Sequence, residues 1–164
     1  MPEKVYWDSC AWLGLINSEA GKIPPLEYYF GLAKRGQVEI FTSAIAYVEV
    51  YHINTEAKPY ADNKDALDVI KDIMQAPFVS TIAMDREVGT KARGLRRSHP
   101  ELRLADAIHI ASALVKNIPL LHTWDHDDII PFDNQLSCKD ATKLRIVVPD
   151  IPPAPPGTLF AATP

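Results

Sequence analysis

Val5-Tyr6-Trp7-Asp8-Ser9-Cys10-Ala11-Trp12 carries a short β-prone run onto an aspartate and straight into a new pattern. Ala11, Trp12, Leu15 and Ile16 recur at helical spacing, which predicts a helix from Ser9 to Asn17. The same strand-then-helix alternation continues along the chain. Pro24-Pro25 opens a helix whose apolar face is Leu26, Tyr29, Phe30 and Ala33, and Gly36 stops it. Residues 39–42 read as a second strand, and Ser43 as the cap of a helix running to about Thr55, before Pro59 breaks the pattern. Leu67, Ile70, Ile73 and Met74 mark a further helix, and residues 78–82 a third strand. Asp85 caps a helix built on Val88, Ala92 and Leu95, and Pro100 separates it from one running from near Arg103 to near Lys116. Residues 119–123 and 145–148 complete the strands.

Apolar strands alternating with helices predict a single α/β domain over residues 1–149. Its central sheet is expected to be mostly parallel, with about five strands and helices on both faces. Residues 150–164 are proline-rich and low in charge and are expected to lie outside the core. A chain of 164 residues with 47% hydrophobic and 23% charged residues suits one soluble domain with a real core. No apolar run approaches membrane-span length, so no membrane association is expected. The opening residues lack a basic region followed by an apolar one, which predicts no secretory signal and a cytoplasmic location. Cys10 and Cys138 form no CxxC pair, so a disulfide framework is excluded and a structural zinc site disfavoured. The net charge of −4 argues against a protein that coats nucleic acid nonspecifically.

Several acidic residues fit a core poorly. In open α/β sheets ligands sit beyond the carboxyl ends of the strands, where Asp8 and Asp125 both fall. Asp8 serves equally as an N-cap, and Asp125 as an ordinary loop aspartate. On the helix predicted from Ser43, Ile45, Glu49 and Ile53 share one stripe. A carboxylate there needs a partner: a metal, an arginine, or solvent reached by its long stem. Asp106 stands in the first turn of an apolar helix that looks packed on more than one side, where the helix dipole alone also favours it. Together the four acids suggest a site for Mg²⁺ or Mn²⁺, which prefer oxygen ligands and activate water toward phosphodiesters.

The chain resembles the PIN-domain nucleases, especially the VapC-type toxins. Asp8-Ser9 after an apolar strand resembles their opening Asp-Ser/Thr motif. Thr42-Ser43-Ala44-Ile45-Ala46-Tyr47-Val48-Glu49-Val50 resembles the second motif, with its glutamate. Leu104-Ala105-Asp106-Ala107-Ile108-His109-Ile110-Ala111-Ser112-Ala113 resembles the third, and Leu121-His122-Thr123-Trp124-Asp125 the fourth. The resemblance spans about Lys4 to Pro149. It implies Mg²⁺- or Mn²⁺-dependent cleavage of RNA, with Asp8, Glu49, Asp106 and Asp125 as catalytic metal ligands and the Ser9 and Thr123 hydroxyls in support. It also implies a cognate antitoxin and a possible homodimer.

The chain departs from the family pattern at Cys10, which is no ligand for a hard metal, and after Asp125, where Asp127 or Asp128 offers a substitute fourth acid. The connection from Ile129 to Leu144 is long and predicts a local element beside the site. Residues 86–103 are locally basic; Arg103, beside the Asp106 helix, is the candidate phosphate contact. The five histidines show no metal-site spacing, and none is assigned a role. Receiver and haloacid-dehalogenase-like chemistries are disfavoured, since Cys10 breaks an Asp-x-Asp pair and no lysine follows the last strand. Two alternatives stay open: a PIN-like RNA- or protein-binding module without catalysis, and a PIN nuclease of RNA processing.

Overall fold

The computed structural model of the protein describes residues 1–56 and 64–153. The expected break at Pro59 and residues 154–164 of the proline-rich stretch lie outside the described residues.

Strand β1 (Glu3–Trp7) buries Val5, Tyr6 and Trp7 in succession, so both of its faces are covered. That is the signature of a central strand in a parallel sheet. It pairs on one side with β2 (Val38–Ser43) and on the other with β4 (Leu120–His122), placing Val5 opposite Ile40 and Leu120. β3 (Val79–Ile82) flanks β2 and β5 (Arg145–Val147) flanks β4. The order is β3-β2-β1-β4-β5 and every pairing is parallel. Strand order reverses between β1 and β4, which opens a crevice at their carboxyl ends.

Alternation along β1 divides the core. Val5 and Trp7 pack with Val38 and Ile40 against α1 (Ser9–Ile16), α2 (Ile23–Lys34) and α4 (Lys64–Met74). Tyr6 points the other way, into the cluster of Leu121, Ile146, α5 (Arg86–Ser98) and α6 (Leu104–Val115). Thr42 ties the layers near the sheet edge, donating to the Trp7 carbonyl and accepting the Trp12 indole N–H. Helix ends follow local chemistry: the Asp85 side chain accepts from the Val88 N–H, and α2 and α6 are followed by left-handed residues, Gly36 and Asn117. Residues 107–115 of α6 are all buried, so this helix is packed on every side.

Three local expectations are corrected. The helix predicted from Ser43 to Thr55 is the single turn α3 (Ala46–Glu49), and Ser43 closes β2 instead of capping it. Val48, Val50, Ile53, Asn54 and Thr55 are weak helix formers, and the backbone beyond Glu49 finds other partners. Ile53 donates to the Glu56 carboxylate and Asn54 to the Asn17 amide oxygen. Ile53 therefore shares no helical stripe with Glu49. Leu67 is exposed on α4, whose buried face is Ala66, Ile70 and Met74. Leu104 is likewise exposed at the start of α6. The long connection before β5 holds a 3₁₀ turn (Ile130–Phe132) and an antiparallel bridge between Ser137 and Lys143, and it buries Ile129, Phe132, Cys138 and Leu144.

Leu121 is wholly buried on a central strand whereas Leu104 is 59% exposed. Urea denaturation should show Leu121→Ala losing about 2–5 kcal/mol. Leu104→Ala should stay within about 0.5 kcal/mol of the parent. Equal losses would contradict this packing.

Candidate active site

β1 ends where Asp8 begins to cap α1. Its extended backbone lets Oδ1 accept the Ala11 N–H at 3.0 Å, while Oδ2 accepts the Thr123 hydroxyl. Asp8 is thus both a cap and a member of the strand-end cluster. Thr123, immediately after β4, also accepts the Asp125 N–H through Oγ1 at 2.9 Å. One hydroxyl therefore joins the ends of β1 and β4 and sets the start of the Asp125 loop. Asp8 is 2% exposed. Burial raises its pKa and the Asp125 charge adds to this; His109, Thr123 and the Ala11 N–H oppose it.

Glu49 ends α3 half-buried, and its protein partners are a serine and a histidine, not an arginine. Oε2 accepts the Ser9 hydroxyl and, at 2.8 Å, the Nε2 hydrogen of His109. Burial pushes the Glu49 pKa up, but the hydrogen bonds from His109 and Ser9 outweigh it, leaving the carboxyl below its ordinary value. His109 is 2% exposed, and its Nδ1 lies 2.7 Å from the Tyr6 hydroxyl. The sequence assigned neither residue a role. A usable signal was present: His109 follows Asp106 by three residues, and so shares its helix face, in an otherwise apolar helix.

The remaining acids gather at the start of α6. Among the described residues, Asp106, Asp125 and Asp128 each present an oxygen within 4.8 Å of the others. The loop turns tightly, because Asp125 Oδ1 accepts the Asp128 N–H at 2.8 Å. That turn brings Asp128 inward and leaves Asp127 exposed. The Arg103 guanidinium reaches Asp128 at 3.1 Å, while Arg86, Lys91, Arg93, Arg96 and Arg97 stay on the exposed surface of α5. Asp106 Oδ2 is buried without a hydrogen-bond partner. Burial, with the charges of Asp125, Asp128 and Glu49, pushes the Asp106 carboxyl up to about 6, His109 opposing. Cys10 stands close by, its thiol pushed up to about 12 by burial and the Asp8 charge, so it remains protonated. Trp124 packs at the edge of the first core cluster with the Lys22 ammonium over its ring.

A 3-2-1-4-5 parallel sheet with carboxylates drawn together at its reversal point defines an α/β domain built around an acidic site. The family model described as PIN domain matches residues 5–133, and the chain belongs to the PIN-domain family. Solved structures share the fold. One is VapC20 of Mycobacterium tuberculosis, described as a sarcin–ricin-loop-cleaving toxin: it is 18% identical with a TM-score of 0.57, and the match covers 75% of this chain and 91% of that one. Another is VapBC2 from Rickettsia felis, bound to a DNA fragment from their promoter: 19% identical, TM-score 0.58, covering 90% and 99%. No curated protein sequence matches the chain. Among the described residues no helix is long and apolar enough to cross a membrane.

The donor set fits a hard divalent cation. All three clustered ligand atoms are carboxylate oxygens, and one buried oxygen of Asp106 has no other partner. Without such a cation the ionised cluster should weaken the fold. A carboxyl held at about 6 when folded, above its unfolded value, keeps its proton more tightly in the folded chain. Its contribution to stability is therefore full below about pH 4 and lost as pH rises to about 6. In chelator, Asp106→Asn should melt higher than the parent at about pH 7.5, and the gap should close below about pH 4. A gap independent of pH, or a variant melting lower at neutral pH, would contradict this.

Proposed function

We propose that the chain is a Mg²⁺- or Mn²⁺-dependent endoribonuclease, the toxin of a toxin–antitoxin pair, acting in the cytoplasm. The observation that carries this is the unpartnered buried oxygen of Asp106 beside Asp125 and Asp128. Such an atom is costly unless something positive meets it. Asp106, Asp125 and Asp128 would hold the metal, with Asp8 and Glu49, fixed beside them, as further ligands; Asp127 is exposed and lies outside the cluster. When bound, the cation supplies an activated water and neutralises charge developing on a phosphodiester. The chain does the rest. Thr123 and the Ala11 N–H hold Asp8, and Ser9 and His109 hold Glu49, so neither carboxylate need reorganise when substrate arrives. Arg103, 76% exposed beyond its pairing with Asp128, stands where a phosphate would approach.

RNA as substrate is supported by family membership and by the fold shared with a loop-cleaving toxin, and an antitoxin as partner by the likeness to VapBC2; a homodimer is proposed from the family resemblance. A mixed RNA pool incubated with the protein should be cut in Mg²⁺ or Mn²⁺ and left whole in chelator. Asp8→Asn and Asp106→Asn should reduce cutting to background while melting cooperatively. A parent that binds RNA but cuts none with either metal would establish a binding module instead.

Expression should arrest bacterial growth, and Asp106→Asn should relieve the arrest. Co-expression of a small protein encoded in the neighbouring reading frame should do the same. Unimpaired growth alongside active RNA cleavage would point to an RNA-processing nuclease.

A further inference from the structure

His109 is the most completely bonded buried side chain at the site, and metal coordination does not account for it. Its ring is edge-on to Tyr6 at 5.8 Å between centroids and 2% exposed. Three polar contacts fix it: the Tyr6 hydroxyl on Nδ1 at 2.7 Å, and Glu49 Oε2 at 2.8 Å and Ser9 Oγ at 3.3 Å on Nε2. One end of this chain of bonds has a fixed direction. The Ser43 backbone N–H, which can only donate, reaches the Tyr6 oxygen at 3.0 Å and anchors it. At the other end a carboxylate can only accept. A hydrogen therefore sits on Nε2 and points at Glu49.

We propose that Tyr6 and His109 are positioning residues that fix the Glu49 carboxylate. His109, anchored by Tyr6, occupies Oε2 together with Ser9, so that Glu49 presents only Oε1 to the metal. The proposal rests on the reading of Glu49 as part of the metal site. It adds which oxygen is available and what holds it. The anchor is the end of β2, through the Ser43 N–H, so the sheet itself orients a carboxylate on the one-turn helix α3. Partners of this kind that orient a ligand commonly change metal affinity about 10–100-fold when removed.

Three measurements test it. In the metal-free parent, long-range ¹H–¹⁵N spectra should show a His109 hydrogen on Nε2; an Nε2 without a hydrogen would overturn the proposal without reference to metal or activity. Calorimetric titration with Mn²⁺ should show His109→Phe weakening binding at least about tenfold, with His109→Gln, whose amide N–H can replace Nε2–H, recovering most of it. Tyr6→Phe, which leaves the ring but removes its anchor, should lie between. RNA cleavage by His109→Phe should recover toward the parental kcat when Mn²⁺ is raised, whereas Asp8→Asn stays inert at every concentration. Unchanged Mn²⁺ affinity in both His109→Phe and Tyr6→Phe would overturn the positioning role and leave the metal site standing. A parent that binds no Mn²⁺ would overturn both.

Discussion

A bond between the Thr123 hydroxyl and Asp8 joins the carboxyl ends of β1 and β4, the strands between which the sheet reverses. Much of the site hangs on it. The same threonine oxygen accepts the Asp125 N–H, and Asp125 in turn accepts the Asp128 N–H. A single hydroxyl at the switch point therefore orders Asp8 directly and Asp128 two bonds away. The crevice itself is topological and would exist without any polar residue. What the threonine contributes is register, since one oxygen bonds both the Asp8 carboxylate and the Asp125 backbone.

Holding carboxylates this close opposes the fold, and the protein responds unevenly. Glu49 is surrounded by donors and lies below its ordinary pKa despite burial. Asp8 is fully bonded, yet burial still raises it. Asp106 has a buried oxygen with no donor and is raised to about 6. Donors from the protein stabilise a carboxylate permanently, whereas a cation does so only when present. The gradient thus runs from Glu49, whose charge the protein's own donors stabilise, to Asp106, whose buried oxygen has none.

The sheet, its parallel sense and the helix order were legible because apolar runs and breakers agree along the chain. Glu49 was read as anomalous for a reason that proved half sound. The helix invoked to place it is one turn, so the shared stripe with Ile53 does not exist. Its need for a partner remains, and the partner is a histidine sixty residues away in sequence. Contacts of that range leave no trace in local periodicity. Leu67 fails for the opposite reason: helical spacing identifies which residues share a face, but not how far the neighbouring layer extends to cover it.

The choice between Asp127 and Asp128 shows where sequence stops and geometry begins. Adjacent aspartates in a loop are equivalent by composition, and nothing in the motif order separates them. The tight turn closed by Asp125 Oδ1 onto the Asp128 N–H separates them in space, setting Asp128 beside Asp106 and leaving Asp127 exposed. Arg103 then meets Asp128 from the α6 side, so the loop acid inside the cluster is also the one carrying a cationic neighbour. A cation held among the three carboxylates would compete with Arg103 for Asp128.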